Sequence, residues 1–364
     1  MTTIVSVAIV LSLLVFVHEL GHFLGAKLAG IPVVEFGFGF PPRLLVLGER
    51  KGTLYTLNWI PVGGFVRMLG EDDPSQPGGF AGQPKLRRVV TLLAGPAMNF
   101  LLAFLLFTCS FLYGVPTPVS TVVGILDVLP GSPAEQAGLK LGDIIEELDG
   151  RAISSSKEMQ DHTSNHLGES IAVRVRRDGE GHILSVLARP EDERPANQGP
   201  MGVVIYDRPT KLISVSYPLG KALVGGAQQT AFSVVATFYL PVLVLRGIIP
   251  VEEVRPVGPA GIARLTADAA QQVSLRGWWY PLIQYTGLFS AALAVTNVLP
   301  LPALDGGRLF FILVEAIRRK RIDPRKEGLV HAVGIMILIG LMVIITYMDI
   351  TSPAVGIDWN QFGF

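Results

Sequence analysis

The run His18-Glu19-Leu20-Gly21-His22 sets two imidazoles four residues apart with a carboxylate between them. In a helix, residues i and i+4 share a face, so both rings reach one ion while Glu19 sits alongside to take a proton from a water. This is hydrolytic zinc chemistry, with His18 and His22 as ligands and Glu19 as general base. The setting sharpens the reading. Ile4 to Val17 carries no charge, and its helical pattern continues through the motif to about Leu28. A charge at the centre of a bilayer costs roughly 2.5–3.5 kcal/mol on the insertion scale. A helix that instead emerged into water at His18 would leave a stretch far short of the roughly 20 residues a span needs. A metal is the partner that makes three such groups tolerable there.

Zinc usually takes three protein ligands in a catalytic site. The second chemically loaded stretch is Asn297-Val-Leu-Pro300-Leu-Pro302-Ala-Leu-Asp305-Gly306-Gly307, inside an apolar run that begins at Leu282 and resumes at Leu309 to Val314. The prolines and glycines predict a helix that unwinds part-way and restarts. Irregular backbone at membrane depth is tolerated only where protein buries it or a watery cavity adjoins it. Asp305 lies in that break without a nearby cation in sequence. Either a metal supplies its counter-charge, or the carboxylate caps the resumed helix. Asn297 either bonds substrate backbone or a developing oxyanion, or caps the helix end before the proline turn.

The elements that must position these groups are those of a membrane protein. Of 364 residues, 16% are charged and 49% hydrophobic, and thirty basic side chains balance thirty acidic ones. No global field attracts nucleic acid, and the single Cys109 excludes an intrachain disulfide or a Cys-rich metal site. Four stretches read as spans: Ile4 to about Leu28, Val89 to Tyr113, the broken Leu282 to Leu304, and Leu329 to Met348. A fifth, Ala222 to Leu245, contains Gly225-Gly226 and Pro241 and reads as interfacial or re-entrant. The N-terminal run has no preceding Lys or Arg and no small-residue cleavage site, so it reads as a span rather than a cleaved signal.

Lys and Arg mark cytoplasmic loops. Eight lie between the first two spans, from Lys27 to Arg88, and seven between the last two, from Arg308 to Lys326. Both termini are then outside, as is the section that follows the second span. His18 falls about 21 Å into a helix from Ile4 at 1.5 Å per residue. Asn297 lies at a comparable distance past Leu282, and the two segments run in the same direction. Histidines and carboxylate therefore reach similar depth, nearer the cytoplasmic face.

Charges and strand-like alternation appear at 119–190, as in Ile171-Ala-Val-Arg-Val-Arg. The run Gly131-Ser-Pro-Ala-Glu-Gln-Ala-Gly138-Leu-Lys-Leu-Gly142-Asp143 resembles the circularly permuted PDZ domain of bacterial membrane and envelope proteases. Such domains bind a peptide or a C-terminus by adding a strand to a sheet edge; a spacer that binds nothing is the alternative. Residues 191–200 read as a linker, and Val33 to Met68, within about 32–70, as a small β-sheet. Asn99, in mid-helix, is expected to bond to a neighbouring helix, an interaction worth about 0.6–2 kcal/mol.

HExxH in the first helix, a PDZ-like insert and NxxPxPxLDGG in a later helix together resemble the site-2 protease family of intramembrane zinc metalloproteases, in its bacterial regulator-of-sigma-E protease branch. Gly63-Gly64-Phe65-Val66, Gly95-Pro96-Ala97-Met98-Asn99-Phe100 and Gly258-Pro259 extend the likeness over nearly the whole chain. The resemblance implies that His18, His22 and Asp305 hold Zn2+, that Glu19 is the general base, and that the β-element associates with the membrane. It implies a protease of the bacterial inner membrane that cuts single-pass membrane proteins, such as anti-sigma factors or remnant signal peptides, in regulated intramembrane proteolysis. Two departures stand out: one PDZ-like domain where some members carry two, and Arg308 where many have His.

The expected architecture is an α-helical integral membrane protein with four transmembrane helices, a membrane-associated β-element and an inserted PDZ-like β/α domain. Its parts run 1–118 (first transmembrane half), 119–190 (PDZ-like), 191–281 (linker and interfacial or re-entrant helices), 282–350 (second transmembrane half) and 351–364 (outer tail). Two rivals belong to other classes. One is an inactive PDZ-bearing membrane scaffold, against which the intact HExxH and LDG stand. The other is a membrane metal oxidoreductase, which needs more His or carboxylate ligands than the spans contain.

Overall fold

The computed structural model describes residues 2–71, 73, 75–195, 198–247 and 257–352. It divides into two compact units, one built from 1–114 and 216–357 and the other centred on 115–215.

The first unit is organised around helices α1 (Thr2–Leu28) and α2 (Lys85–Tyr113). They lie close because small residues meet. A Cβ on Gly21 would stand 2.2 Å from the Ala94 carbonyl oxygen, and one on Gly25 would stand 2.7 Å from Ala94 Cβ. Between the two helices, strands β1 (Val33–Arg50) and β2 (Thr53–Met68) form an antiparallel hairpin that doubles over. Residues 33–38 pair on one side with 64–68, and 35–38 pair on the other with 54–57, while 43–50 pair back on 53–58. The hairpin thus presents four ribbons. The buried Glu35 carboxylate ties all four, accepting from Arg43 at 2.9 Å, Thr56 Oγ1 at 3.0 Å and Arg67 at 2.9 Å. Such a charge stays buried only because it is paired and hydrogen-bonded. The outer ribbon rests on α1: Ser12 Oγ donates to the Pro61 carbonyl and accepts from Gly63 N–H, each at 3.2 Å.

After the second unit the chain returns to the first with α5 (Leu219–Leu245), α6 (Pro259–Arg276), α7 (Tyr280–Val298), α8 (Asp305–Arg318) and α9 (Pro324–Thr351). Helix α7 packs on α2, where Ser290 Oγ donates to the Asn99 carbonyl at 2.8 Å. The expected break in the second chemically loaded stretch is present: α7 ends at Val298 and the chain re-enters a helix at Asp305. The Asp349 carboxylate at the end of α9 accepts from Gly258 N–H at 3.0 Å and Gly261 N–H at 2.8 Å, satisfying two free donors at the start of α6.

Among the described residues, four helices are long and apolar enough to cross a membrane: Ile4–Leu28, Lys85–Tyr113, Leu219–Leu245 and Arg325–Thr351. Three coincide with expected spans. The segment at 222–245, expected to be interfacial or re-entrant, lies in one continuous helix of 27 residues, α5. Its glycines serve packing rather than a break: a Cβ on Gly226 would lie 2.2 Å from Thr108 Oγ1, and one on Gly225 3.0 Å from the Phe111 ring. Pro241 removes one backbone donor near the end without terminating the helix. The stretch at 282–304 is divided by the break at 299–304, leaving α7 with 19 residues. Of the expected outer tail, 353–364 lies outside the described residues.

The second unit holds β3 (Val115–Val128), α3 (Pro133–Gln136), β4 (Ile144–Leu148), β5 (Arg151–Ala152), α4 (Ser156–Asn165), β6 (Ser170–Arg177), β7 (Glu180–Leu187) and β8 (Val203–Val215). Its sheet runs β7-β6-β4-β3-β8, with β5 pairing β4. The alternation noted at 171–175 is real: Ile171, Val173 and Val175 are buried in a core with Val123, Ile145, Leu148 and Val186. The unit outruns 119–190 at both ends because β8 returns along nearly the whole of β3. Both helices are capped by serine, Ser132 accepting from Glu135 N–H and Ser155 from Glu158 N–H.

Asp143 is fully buried at the turn before β4, bound by Arg177 through Nε and Nη2 at 2.7 Å and by Lys140 N–H at 2.9 Å. Burial pushes its carboxyl upward, but the Arg177 hydrogen bonds, the Lys140 N–H and the guanidinium charge outweigh it, so the group titrates below its ordinary value. A depressed carboxyl stabilises the fold at pH values above its unfolded value near 4 and loses that contribution as the pH falls through the folded one. The second unit is therefore expected to keep full stability at neutral pH and to lose it in strong acid. Arg177→Ala is expected to destabilise it by about 3 kcal/mol at neutral pH, because a buried charge loses its partner. Thermal unfolding of the whole chain as a function of pH measures both.

Candidate active site

His18 and His22 lie towards the C-terminal end of α1, and Asp305 is the first residue of α8. The structure brings them together across the fold. Asp305 Oδ2 stands 3.1 Å from His18 Nε2 and 3.2 Å from His22 Nε2, and the two Nε2 atoms are 3.1 Å apart. Among the described residues this is the cluster of three His, Cys, Asp or Glu side chains whose donor atoms converge. Both histidines are buried. Asp305 does not cap its helix; Leu304 holds that position, and the carboxylate turns to the imidazoles instead.

The loop that delivers Asp305 is tight. A Cβ on Gly306 would fall 2.0 Å from the Leu299 carbonyl oxygen, and one on Gly307 2.3 Å from that of Leu301, so the chain turns back on itself only with glycine there. Ala303 takes the left-handed conformation at φ 75°. Its N–H donates to His331 Nδ1 of α9 at 2.8 Å, which anchors the loop from behind.

Helix α2 orients the imidazoles. His22 Nδ1 lies 2.9 Å from the Thr91 carbonyl oxygen and donates to it. In neutral His22 this leaves Nε2 as a lone pair aimed at the other two donors. One helical turn on, Gly95 gives the ring room, since a Cβ there would stand 2.4 Å from His22 Nε2. One turn further, Asn99 Nδ2 lies 3.2 Å from His18 Nδ1. Asn99 thus bonds across helices as expected, and its partner is a site histidine.

The donor set fits zinc. Tetrahedral zinc with ligands at about 2.0–2.2 Å separates neighbouring donors by roughly 3.3–3.5 Å, close to the spacing of the three atoms here. Imidazole nitrogens and a carboxylate oxygen are its ordinary ligands, and the Nδ1–H to carbonyl bond of His22 is the usual outer support of such a site. Lone pairs and an anionic oxygen gathered this closely repel one another unless a cation lies among them.

Glu19 lines the same cavity, of about 330 Å³, with Asn297 and the outer β ribbon at Gly64, Phe65 and Val66. Its Oε2 accepts the Val66 N–H at 3.2 Å. Asn297 Nδ2 donates to the Leu293 carbonyl of its own helix at 3.0 Å, so one amide N–H is engaged and the other is left for a guest in the cavity. Arg308 forms a 2.6 Å ion pair with Glu71 on the cavity wall and is not one of the converging donors.

Residues 6–341 match the model of peptidase family M50. The chain belongs to that family. It is a zinc metalloprotease of the site-2 type, and the metal its family implies is the one its donor set fits. Zinc metalloprotease RasP of Geobacillus kaustophilus is 29% identical over 434 residues, covering 96% of this chain and 97% of the relative. A Clostridium acetobutylicum protein provisionally named a zinc metalloprotease is 31% identical over 355 residues, covering 96% and 98%. A solved PDZ domain of an SdrC-like protein from Listeria innocua aligns with 23% of this chain at 27% identity and a TM-score of 0.20. Family and apolar helices together make this M50 chain a membrane protein.

Thr91's carbonyl, Asn99's partner, Glu19's hold on Val66 and the His331 anchor escaped sequence reasoning. The spacing 91, 95, 99 at four-residue intervals on α2 matches the histidine spacing on α1, and was the one available signal. Gly95→Ala is expected to press on the His22 ring and lower zinc affinity 10–100-fold, the range for disturbed outer support. Competition with a chromophoric chelator reads it.

Proposed function

We propose that the chain hydrolyses peptide bonds of single-pass membrane proteins within or near the bilayer, with His18, His22 and Asp305 as zinc ligands and Glu19 as general base. The observation that carries this reading is the convergence of three donor atoms 3.1–3.2 Å apart, from two helices far apart in sequence. Zinc bound there supplies a water acidified to a pKa of about 7 and polarises the scissile carbonyl. Glu19 takes the proton of the attacking water and returns it to the leaving nitrogen. The second N–H of Asn297, on the cavity wall, is the candidate donor to the developing oxyanion.

A helical substrate hides its carbonyls in its own hydrogen bonds and must unwind to react. The outer ribbon at 64–68 is a sheet edge on the cavity, suited to receive the unwound segment as an added strand. Val66 directs its N–H away from β1 towards Glu19, so the base and the edge of the added strand are neighbours. Across the hairpin, Leu44, Leu45, Val46, Leu47, Trp59 and Ile60 are exposed, an apolar surface that favours contact with lipid.

The distribution of Lys and Arg supports a cytoplasmic side for the segments around 29–88 and 308–326, with the second unit and both termini outside and the metal site nearer the cytoplasm. The sheet of the second unit and its Ser-Pro-Ala-Glu-Gln-Ala-Gly turn support a PDZ-like domain that screens substrates by engaging a peptide or C-terminus. Anti-sigma factors and remnant signal peptides are the substrate classes implied by the family likeness, and the inner membrane is the implied location.

Glu19→Gln is expected to lower cleavage of a single-pass reporter by about 10²–10⁴-fold, the usual contribution of a general base, while retaining zinc. Cleavage at the wild-type rate by the zinc-loaded variant would remove the base assignment. Co-expression of wild type and variant with a reporter, read as fragment on a gel, makes the comparison.

A further inference from the structure

The Asn99 side chain has no part in the reaction described above, yet it is wholly buried in the membrane bundle against a site histidine. It reaches that place by design of the helix interface. Thr91, Gly95 and Asn99 repeat every four residues along α2, and His18 and His22 repeat with the same interval on α1. Thr91 meets His22 through its carbonyl, Gly95 clears its ring, and Asn99 meets His18 at Nδ1. The Asn99 backbone is fixed as well, its carbonyl accepting from Ser290 of α7.

The hydrogen-bond arithmetic of this contact depends on the metal. If His18 offers Nε2 as a lone pair to an ion, its proton must sit on Nδ1, which is then a donor. A donor cannot face the Asn99 NH2 group, but it can bond the amide oxygen. Asn99 Oδ1 is buried and accepts no hydrogen bond in its present orientation. A half-turn of the amide about Cβ–Cγ therefore breaks no bond at that oxygen and brings it to the His18 ring. His22 already shows the same arrangement, with a carbonyl oxygen on its Nδ1.

We propose that Asn99 is a positioning residue for the metal centre: its Oδ1 accepts the His18 Nδ1 proton, fixing the tautomer and ring angle that make Nε2 a ligand. The inference rests on His18 being a zinc ligand. A polar residue that serves only as glue between helices would leave zinc affinity unmoved when replaced.

The test is zinc affinity of the purified full chain in detergent, by chelator competition, for His18→Ala, Asn99→Leu and Asn99→Asp. His18→Ala examines the underlying reading; if it binds zinc as tightly as wild type, that reading falls and this one with it. With His18→Ala impaired, Asn99→Leu is expected to weaken zinc binding 10–100-fold. Asn99→Asp, which keeps an acceptor at the ring and removes the NH2 donor, is expected to stay within about threefold of wild type, as carboxylate–histidine–zinc arrangements do. Wild-type affinity in folded Asn99→Leu overturns the proposal. Should Asn99→Leu not fold, Asn99→Asp decides alone: near-wild-type affinity supports the acceptor, and a loss beyond tenfold overturns it.

Discussion

Three ionisable groups share one point among the packed helices of the first unit, and the rest of that unit is arranged to make this tolerable. Separately, a carboxylate and two imidazoles at membrane depth would each seek water or a counter-charge. Brought within 3.2 Å of one another, they form a donor set that fits a metal ion, whose charge would offset the cost of burying them. The consequence is structural as well as chemical. Helix α1 must approach α2 closely enough for Thr91 to reach His22, and the chain must break between α7 and α8 so that a carboxylate can enter sideways. Gly21, Gly25 and Gly95 permit the first, and Gly306 and Gly307 the second, each by leaving out a Cβ that would collide with backbone or with the ring itself.

The β hairpin belongs to the same design. A sheet edge recognises extended backbone by its hydrogen-bond pattern alone, and this one lies on the cavity wall. Holding that edge in register against α1 falls to Ser12 and Glu19 on one side, and to the Glu35 carboxylate, which binds all four ribbons, on the other. Glu19 therefore has two relationships, one with the metal site by its position in the motif and one with the edge through Val66. The carboxylate proposed as the base is thus a direct partner of the edge.

Much of this was legible in the sequence because membrane burial makes polar residues conspicuous. His18, Glu19 and His22 stood out in an uncharged run, and the Pro-Gly-rich interruption around Asp305 marked the break that the structure contains. Alternation along 171–175 identified the buried face of a strand. What could not be read were relations carried by the backbone or by packing: the Thr91 carbonyl has no side-chain signature, and the doubling of β1 between two halves of β2 depends on long-range pairing. The segment at 222–245 is instructive. Gly225-Gly226 and Pro241 look like helix breakers in isolation, but glycine is also what lets one helix lie against another. Only the presence of Thr108 and Phe111 on α2 tells the two uses apart.

Whether α1 and α8 jointly hold one ion is read directly by X-ray absorption at the zinc edge of the purified chain. The expected result is one zinc per chain with two imidazole nitrogens and a carboxylate oxygen in a four-coordinate shell, and loss of the imidazole signal in His18→Ala/His22→Ala. A shell made of other ligands, or zinc bound unchanged when both histidines are removed, would contradict it.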